Sequence, residues 1–290
     1  MSNHRILVTA AGGQLGRLTI DALLKLIPAN QIVAGLRDPA KGADLAAKGV
    51  TVVTADYSKP ETLGTALKGI DRVLLISSNE LGQRVAQHRN VIEAAKRAGV
   101  KLLAYTSVLR ADTSTLSVAQ EHLPTEELIR ASGVPFVMLR NGWYTENYTA
   151  SIPAALAHDA LVSSARDGRI ASASREDYAA AAAAVLAGEG HAGKVYELAG
   201  DEAFTLDDFA AEISKQAGKT VPYVRLPEAE FKAIMLGAGL PEELAELIAT
   251  SNTAAADGEL FDDGHALSKL IGRKTTPFAE TIRNAMKGSV

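Results

Sequence analysis

Hydrophobic and polar positions fall in alternating blocks along the first half of the chain. Short aliphatic runs occupy 6–9, 32–36, 50–55, 73–77, 102–106 and 136–139. Between them, apolar residues recur at helical spacing over roughly 15–27, 40–48, 60–68, 82–98 and 120–132. In the first of these segments Leu15, Leu18, Ala22, Leu23 and Leu26 share one face. Runs that are nearly continuous, rather than alternating, mark strands covered on both faces. Strand followed by helix, repeated, implies right-handed crossovers and a parallel sheet between two helical layers. The expected fold class is α/β, a Rossmann-like doubly wound parallel sheet with a smaller, mostly helical C-terminal lobe.

After Asn141 the rhythm changes. The pattern predicts a helix over 177–186, alanine-rich at 179–184, and a strand over 194–198 that rejoins the sheet. Thr205 starts another helix, with Asp208 placed as its capping partner. A short strand follows at 223–226, then helices at 228–237, 241–250, 265–271 and 278–286. Residues 251–264 read as a polar, mobile loop. Two units are expected: a nucleotide-binding domain over 1–150, with 194–200 returning to it, and a smaller lobe over 151–290. The lobe covers the carboxyl edge of the sheet, where doubly wound folds bind ligands.

Composition narrows the function classes. Of 290 residues, 47% are hydrophobic and 22% charged, and the net charge is -4. A nucleic-acid partner would need a basic stripe, so none is expected. No cysteine is present, which excludes disulfides, thiolate metal sites and a cysteine nucleophile. No apolar stretch approaches the ~20 residues of a membrane span, and the first residues lack the apolar core of a secretory signal. No membrane partner and a cytoplasmic location are therefore expected. The six histidines show no metal-ligand spacing, and no metal is expected. His122 alone falls near the expected pocket.

The stretch richest in chemistry is Thr9-Ala10-Ala11-Gly12-Gly13-Gln14-Leu15-Gly16-Arg17, between the first strand and the first helix. A glycine-containing turn in that setting cradles a dinucleotide pyrophosphate. Its backbone approaches the phosphates, and the helix start offers unpaired N–H groups. Ala10 through Gly16 are thus candidate cofactor contacts. The second strand ends in Arg37, 21 residues after Gly16. Arginine there accommodates a 2′-phosphate, which favours NADPH, with NADH still possible. A solvated surface arginine is the alternative, and Asp38 could serve the ribose instead. Asp56 ends the third strand, either beside the adenine or as a plain turn. Ser77 and Ser78 follow the fourth strand, running beside the cofactor or simply starting a loop.

After the sixth strand comes Asn141-Gly142-Trp143-Tyr144-Thr145-Glu146-Asn147. Asn141 can hydrogen-bond cofactor or substrate oxygen. Gly142 lets the backbone pass close to the nicotinamide. Trp143 and Tyr144 offer flat faces to a planar ring. Asn147 can donate to an oxygen gaining negative charge. The alternative is a joining loop whose aromatics fill the seam.

These stretches, with Leu36-Arg37-Asp38-Pro39-Ala40-Lys41, Gln87-His88-Arg89-Asn90-Val91-Ile92, Ala104-Tyr105-Thr106-Ser107 and Leu267-Ser268-Lys269-Leu270-Ile271-Gly272, resemble the NmrA-like branch of the atypical short-chain dehydrogenases. The resemblance spans essentially the whole chain, and Asn141 to Tyr144 is its most specific part. It implies a flavin-free, NADPH-dependent reductase passing hydride to a quinone, a small planar electron-poor substrate. It also implies Tyr105 and Arg175 beside the cofactor, a structural ion pair being the alternative for Arg175, and Asn141, Tyr144 and Asn147 as the catalytic set. A homodimer is compatible with it.

Two departures matter. The family usually has Thr-Gly-Ala-Thr-Gly at the turn, whereas here Ala10 replaces the first glycine and Gly12 the threonine. If position 10 needs a positive φ, alanine adds about 1 kcal/mol of strain. Ordinary short-chain dehydrogenases also carry a Tyr-x-x-x-Lys proton relay. None of the seven tyrosines here has lysine four residues later, and the region reads His122-Leu123-Pro124-Thr125-Glu126. Thr106 and Ser107 keep hydroxyls near the usual serine. A ketone needs a positioned acid because its alkoxide is very basic. A quinone gives a phenolate with a pKa near ~10, so orientation suffices. Alternatives are reduction of triphenylmethane or azo dyes or other activated acceptors, and a non-catalytic NADP(H)-binding redox sensor.

Overall fold

Ile6, Leu7 and Val8 are all buried because their strand lies inside a seven-stranded parallel sheet. The computed structural model describes residues 4–288; the first three and last two residues of the two expected units lie outside them. The strands are β1 (Ile6–Val8), β2 (Ile32–Leu36), β3 (Thr51–Thr54), β4 (Arg72–Leu75), β5 (Leu102–Val108), β6 (Phe136–Asn141), β7 (Leu161–Ser163), β8 (Val195–Leu198) and β9 (Tyr223–Arg225). The large sheet runs β3-β2-β1-β4-β5-β6-β8, and β7 pairs with β9 separately. The order reverses between β1 and β4. That switch point is where doubly wound sheets open a crevice for ligands.

Alternate residues of each strand serve opposite faces. Ile6 and Val8 join a core with Leu15, Ile20 and Leu23 of the helix Gln14–Leu24. Leu7 joins the other core, with Leu63, Val91 and Ile129 from the helices Pro60–Ala66, Arg84–Ala98 and Ala119–Ser132. The alanine-rich segment is the helix Arg175–Ala187, and Ala179, Ala181, Ala182 and Ala183 are all buried in the first core. Small side chains let it lie close against Gln14–Leu24. Ser174 caps its start by accepting from Asp177 N at 3.1 Å. At its end Arg72 Nη1 donates to Leu186 O at 2.8 Å and also to Gly188 O. A cation there complements the unpaired carbonyls. The return to the sheet thus includes this helix as well as β8, which pairs with β6.

A third core gathers Tyr148, Phe204, Phe209 and Phe278, with the Phe204 and Phe278 rings 4.5 Å apart. Thr205 and Asp208 form the reciprocal capping box ahead of Leu206–Ala217. The expectation of a loop over 251–264 is corrected: the helix Glu242–Ala256 continues through its first six residues. Ser251, Asn252 and Ala255 are buried there. The polar side chains hide in the helix by back-bonding, Asn252 Nδ2 to Ile248 O at 2.8 Å and Thr253 Oγ1 to Ala249 O at 3.1 Å. Among the described residues no helix is long and apolar enough to cross a membrane.

Candidate functional site

The site starts where β1 ends. Thr9 Oγ1 donates to Leu74 O at 2.8 Å and accepts from Ile76 N at 3.2 Å. Tyr57, beyond β3, places its hydroxyl against Thr9 and donates to Ile76 O at 2.8 Å. Burial pushes that phenol well up, against the Thr9 hydrogen bond, so it stays protonated. Three strand ends are thereby tied together under the turn.

Ala10 sits at φ +47, in the left-handed region, so the strain anticipated for alanine falls on this residue. Gly16 is required by packing: a Cβ there would lie 2.7 Å from Ala10 O and from Ala11 Cα, both backbone atoms. Gly12 and Gly13 are different. Neither is left-handed, and an added Cβ would come no closer than 3.4 Å to its neighbours. The fold does not demand glycine at either place. What their missing side chains leave bare is the wall of a cleft.

That cleft is a cavity of about 690 Å³ at the carboxyl ends of the strands around the switch point. Of the residues singled out in the sequence, Ala10, Gly12, Gly13, Gln14, Leu15, Gly16, Arg37, Asp56, Ser77, Ser78 and Arg175 line it. Arg17, Lys41, Asn79, Glu80 and Gln87 line it too and were not foreseen. Lys41 had a readable signal, a second cation four residues beyond Arg37. Arg17 staples the turn to the segment after β2, donating from Nε to Gly12 O at 3.2 Å and from Nη2 to Lys41 O at 2.8 Å. Arg37 Nη1 donates to Glu80 Oε1 at 2.7 Å. Asp38 spends one oxygen on its own turn, accepting from Ala40 N at 3.1 Å. Asp56 likewise accepts from Ser58 N at 2.9 Å. Ser77 N donates to Thr106 Oγ1 at 2.9 Å, and Ser78 N to His88 Nε2 at 2.9 Å.

Ala11 and Tyr105 do not reach the cavity. Ala11 is fully buried and donates its N–H to Gly35 O at 3.0 Å. Tyr105 is corrected as a cofactor contact: its ring lies in the core against the helices on the far face, and its hydroxyl meets His122 Nδ1 at 2.7 Å. Strand parity explains this, because Tyr105 points opposite to Ala104 and Thr106. His122 also lies off the cavity wall. Burial, aided by the Arg84 charge, pushes His88 down to about 3 and His122 well below its ordinary value. Both are neutral at neutral pH and lack the acidic second proton of an imidazolium.

Asn141, Gly142, Trp143, Tyr144 and Asn147 stand beyond the cavity wall, at the end of β6. Asn141 is buried, and its Oδ1 has no partner. A buried acceptor left so costs about 1–3 kcal/mol until a donor arrives. Gly142 N donates to Leu198 O at 2.7 Å, and a Cβ there would meet Leu198 O at 3.0 Å and the Tyr178 hydroxyl at 3.1 Å. Glycine at 142 therefore admits β8 and Tyr178, a constraint of the protein itself. The Trp143 ring packs onto the third core and fills the seam. Tyr144 is half-buried under the Arg175 guanidinium, 4.5 Å from its ring. Burial raises its phenol, against the hydrogen bond from Asn141 and the Arg175 charge. Arg175 Nη2 also donates to Asn147 Oδ1 at 2.9 Å. Because guanidinium only donates, the Asn147 oxygen must face it, which leaves the amide N–H groups turned outward. Arg175 is thus common to the cleft wall and the Asn141–Asn147 segment.

A buried ion pair occupies the region without the Tyr-x-x-x-Lys relay. Ser107 Oγ donates to Glu126 Oε1 at 2.7 Å, and Arg140 grips both Glu126 oxygens at 2.9 and 2.8 Å. Arg140 Nη1 reaches Glu197 Oε1 on β8 at 2.8 Å. Burial tends to raise the Glu126 carboxyl, but Arg140, Ser107 and Arg130 outweigh it and hold it below the usual range. The Ser107 proton is committed to that carboxylate. Among the described residues, no cluster of three or more His, Cys, Asp or Glu could hold a metal.

A crevice at the switch point, floored by a turn whose glycines the fold does not need and flanked by a cation after β2, defines a Rossmann-like dinucleotide-binding protein. The chain belongs to the NmrA-like family, whose model matches residues 2–283. It is 56% identical over 277 residues to quinone oxidoreductase 2 of Escherichia coli (strain K12), covering 96% of this chain and 97% of that one. The crystal structure of NADPH-dependent quinone oxidoreductase from Escherichia coli complexed with NADPH superposes with a TM-score of 0.95 at 55% identity, over 97% of this chain and 99% of that one. Triphenylmethane reductase of Citrobacter sp., complexed with NADP(H), follows with a TM-score of 0.93 at 39% identity, over 97% and 99% of the two chains.

Proposed function

We propose that this chain is a flavin-free, cytoplasmic NADPH-dependent quinone oxidoreductase of the atypical short-chain dehydrogenase type. The observation that carries the reading is the 56% identity, over 96% of the chain, to a quinone oxidoreductase. The site's residues fit the cofactor. Gly12, Gly13 and the start of the helix Gln14–Leu24 offer a bare backbone and a positive helix end to the pyrophosphate. Arg37 and Lys41 line the same cleft and would hold the 2′-phosphate. The unpartnered Asn141 Oδ1 suits a donor on the ligand, such as a carboxamide. When bound, NADPH supplies a hydride, two electrons at once.

Tyr144 and Asn147 orient the acceptor. The Asn147 N–H groups, freed by the bond from Arg175 to its oxygen, face an oxygen that gains negative charge. Among the described residues, none beside the Asn141–Asn147 segment is poised as a strong acid. His88 and His122 are neutral, Ser107 serves Glu126, and Tyr144 holds its proton more tightly than usual. A quinone needs nothing more, since its product is a weakly basic phenolate that solvent protonates (pKa near ~10). The test is steady-state NADPH consumption with small benzoquinones. Turnover is expected, and no quinone-dependent loss of NADPH absorbance would overturn the reading.

A second acceptor class has its own support in the likeness to triphenylmethane reductase at 39% identity. Cationic dyes also take hydride without an acid. A side-by-side panel of quinones and dyes ranks the two. Tight NADP(H) binding with no turnover of any acceptor would instead mark a redox sensor.

A further inference from the structure

An ion pair crosses the mouth of the cleft. Arg37, just past β2, donates from Nη1 to Glu80 Oε1 at 2.7 Å. Glu80 stands past β4, on the opposite side of the switch point. Both residues line the same cavity. Glu80 is also held from its own wall: Gln87 Nε2 donates to its second oxygen at 2.6 Å. Gln87 is itself buried and takes the Ser78 hydroxyl on its carbonyl at 2.5 Å. Ser78 Oγ in turn accepts from Glu80 N at 3.2 Å. The carboxylate is therefore positioned by two donors from facing walls.

We propose that Glu80 is a built-in competitor for Arg37, an anion that the cofactor's 2′-phosphate must displace. It thereby sets the preference for phosphorylated dinucleotide and the rate at which that dinucleotide leaves. The proposal rests on Arg37 as the 2′-phosphate ligand. Arg37 is 68% and Glu80 42% exposed at the side chain, and an ion pair this exposed is weak and cheap to open. A phosphate monoester carries nearly two charges and three acceptor oxygens, so it takes the guanidinium. The displaced carboxylate does not leave, because Gln87 still holds it. It stays close to the phosphate and repels it. A dinucleotide without the 2′-phosphate leaves the Arg37–Glu80 pair closed and feels none of this. Product release limits turnover in many enzymes, so a carboxylate here exchanges affinity for speed.

The experiment uses Glu80→Gln, Arg37→Gln and the double variant in the full chain. Calorimetry gives the Kd of NADP⁺ and NAD⁺, and stopped-flow displacement gives the NADP⁺ release rate. In Glu80→Gln, NADP⁺ should bind about fivefold tighter and leave about fivefold more slowly, with NAD⁺ changed by less than about twofold. With benzoquinone, kcat and the KM for NADPH should fall together. Arg37→Gln alone should erase the preference for NADP⁺, and adding Glu80→Gln to it should tighten NADP⁺ by less than Glu80→Gln does alone, because only the repulsion, and no longer the competition, remains to be removed. An unaltered NADP⁺ to NAD⁺ ratio in Glu80→Gln, beside a lost preference in Arg37→Gln, overturns the competitor and leaves Arg37 as the phosphate ligand. Equal weakening of both dinucleotides in Glu80→Gln also overturns it, because Glu80 would then hold the ribose or the wall. An unchanged preference in Arg37→Gln removes the assignment of Arg37 itself.

Discussion

Alanine at Gly13 and alanine at Gly16 should fail in opposite ways. At Gly16 the new methyl would lie 2.7 Å from Ala10 O and Ala11 Cα, and neither backbone atom can rotate away. The helix must lift off the turn, an overpacking penalty of ~1–3 kcal/mol. Because both neighbours are backbone the penalty falls at the upper end, ~3 kcal/mol, and alanine returns up to ~1 kcal/mol of helix propensity, so the net loss is about 2 kcal/mol. For a chain of this size that lowers Tm by roughly 2–6 °C. Gly13 caps the helix with φ -78 and ψ 168, a conformation open to any residue. Its new methyl would sit 3.4 Å from Ala10 O, near ordinary contact. The unfolded chain loses about 0.4–1 kcal/mol of entropy, which roughly offsets alanine's poorer capping. Tm should therefore hold, but the methyl stands where pyrophosphate must approach. NADPH affinity should drop at least about tenfold, the equivalent of 1.4 kcal/mol. Thermal melts with and without NADPH, plus calorimetry, separate the cases: Gly13→Ala keeps its melting point and shows a smaller NADPH-induced rise, reduced by the equivalent of about 1.4 kcal/mol or more. If Gly13→Ala bound NADPH as tightly as wild type, the bare glycines would serve no ligand, and the reasoning that places pyrophosphate there would fail.

Arg37→Glu should weaken NADPH about 10–100-fold more than NADH, the worth of a charge-assisted phosphate contact, and equal losses would show that Arg37 does not read the phosphate. The pH profile of kcat/KM with benzoquinone should stay flat from roughly pH 6 to 9, because the buried histidines titrate far below that window and Tyr144 above it. A bell in that range would reveal a proton donor the site is read to lack. Glu126→Gln should cost about 1–3 kcal/mol, because the buried Arg140 loses its two-oxygen partner and keeps only the Glu197 and Asp112 carboxylates on Nη1. Glu126 has a lowered folded pKa, so its contribution is whole above the unfolded value and disappears as pH falls through the folded one. Wild-type and variant melting points should then converge in acid, and a gap that persisted there would contradict the ion-pair account.

The sheet was readable because its strands are covered on both sides, which writes them as unbroken aliphatic runs. Thr205 and Asp208 announced a helix start by local chemistry alone. Residues after Ser251 misled because polarity was taken for exposure, whereas a helix can absorb Asn252 and Thr253 on its own carbonyls. Tyr105 misled by its neighbours: beside Thr106 in sequence, it points to the other face of the sheet. The Gly142 requirement was visible, but its cause was not, since Leu198 and Tyr178 arrive from far along the chain. Glu80 carries no local signature at all, and Gln87 was legible only as part of a family-like stretch, with no role attached. Only the closing of the sheet at its switch point sets them opposite Arg37.

The helix Arg175–Ala187 has a consequence for how the molecule is made. It packs against the helix that follows the glycine turn, and Arg72 grips its last carbonyls. A nascent polypeptide that has delivered the first six strands still shows water the flank of Gln14–Leu24 that later meets Arg175–Ala187. The coenzyme pocket is finished only when a segment translated much later folds back over that flank. A product halted near residue 150 would carry every strand around the crevice and yet present a sticky wall to its neighbours.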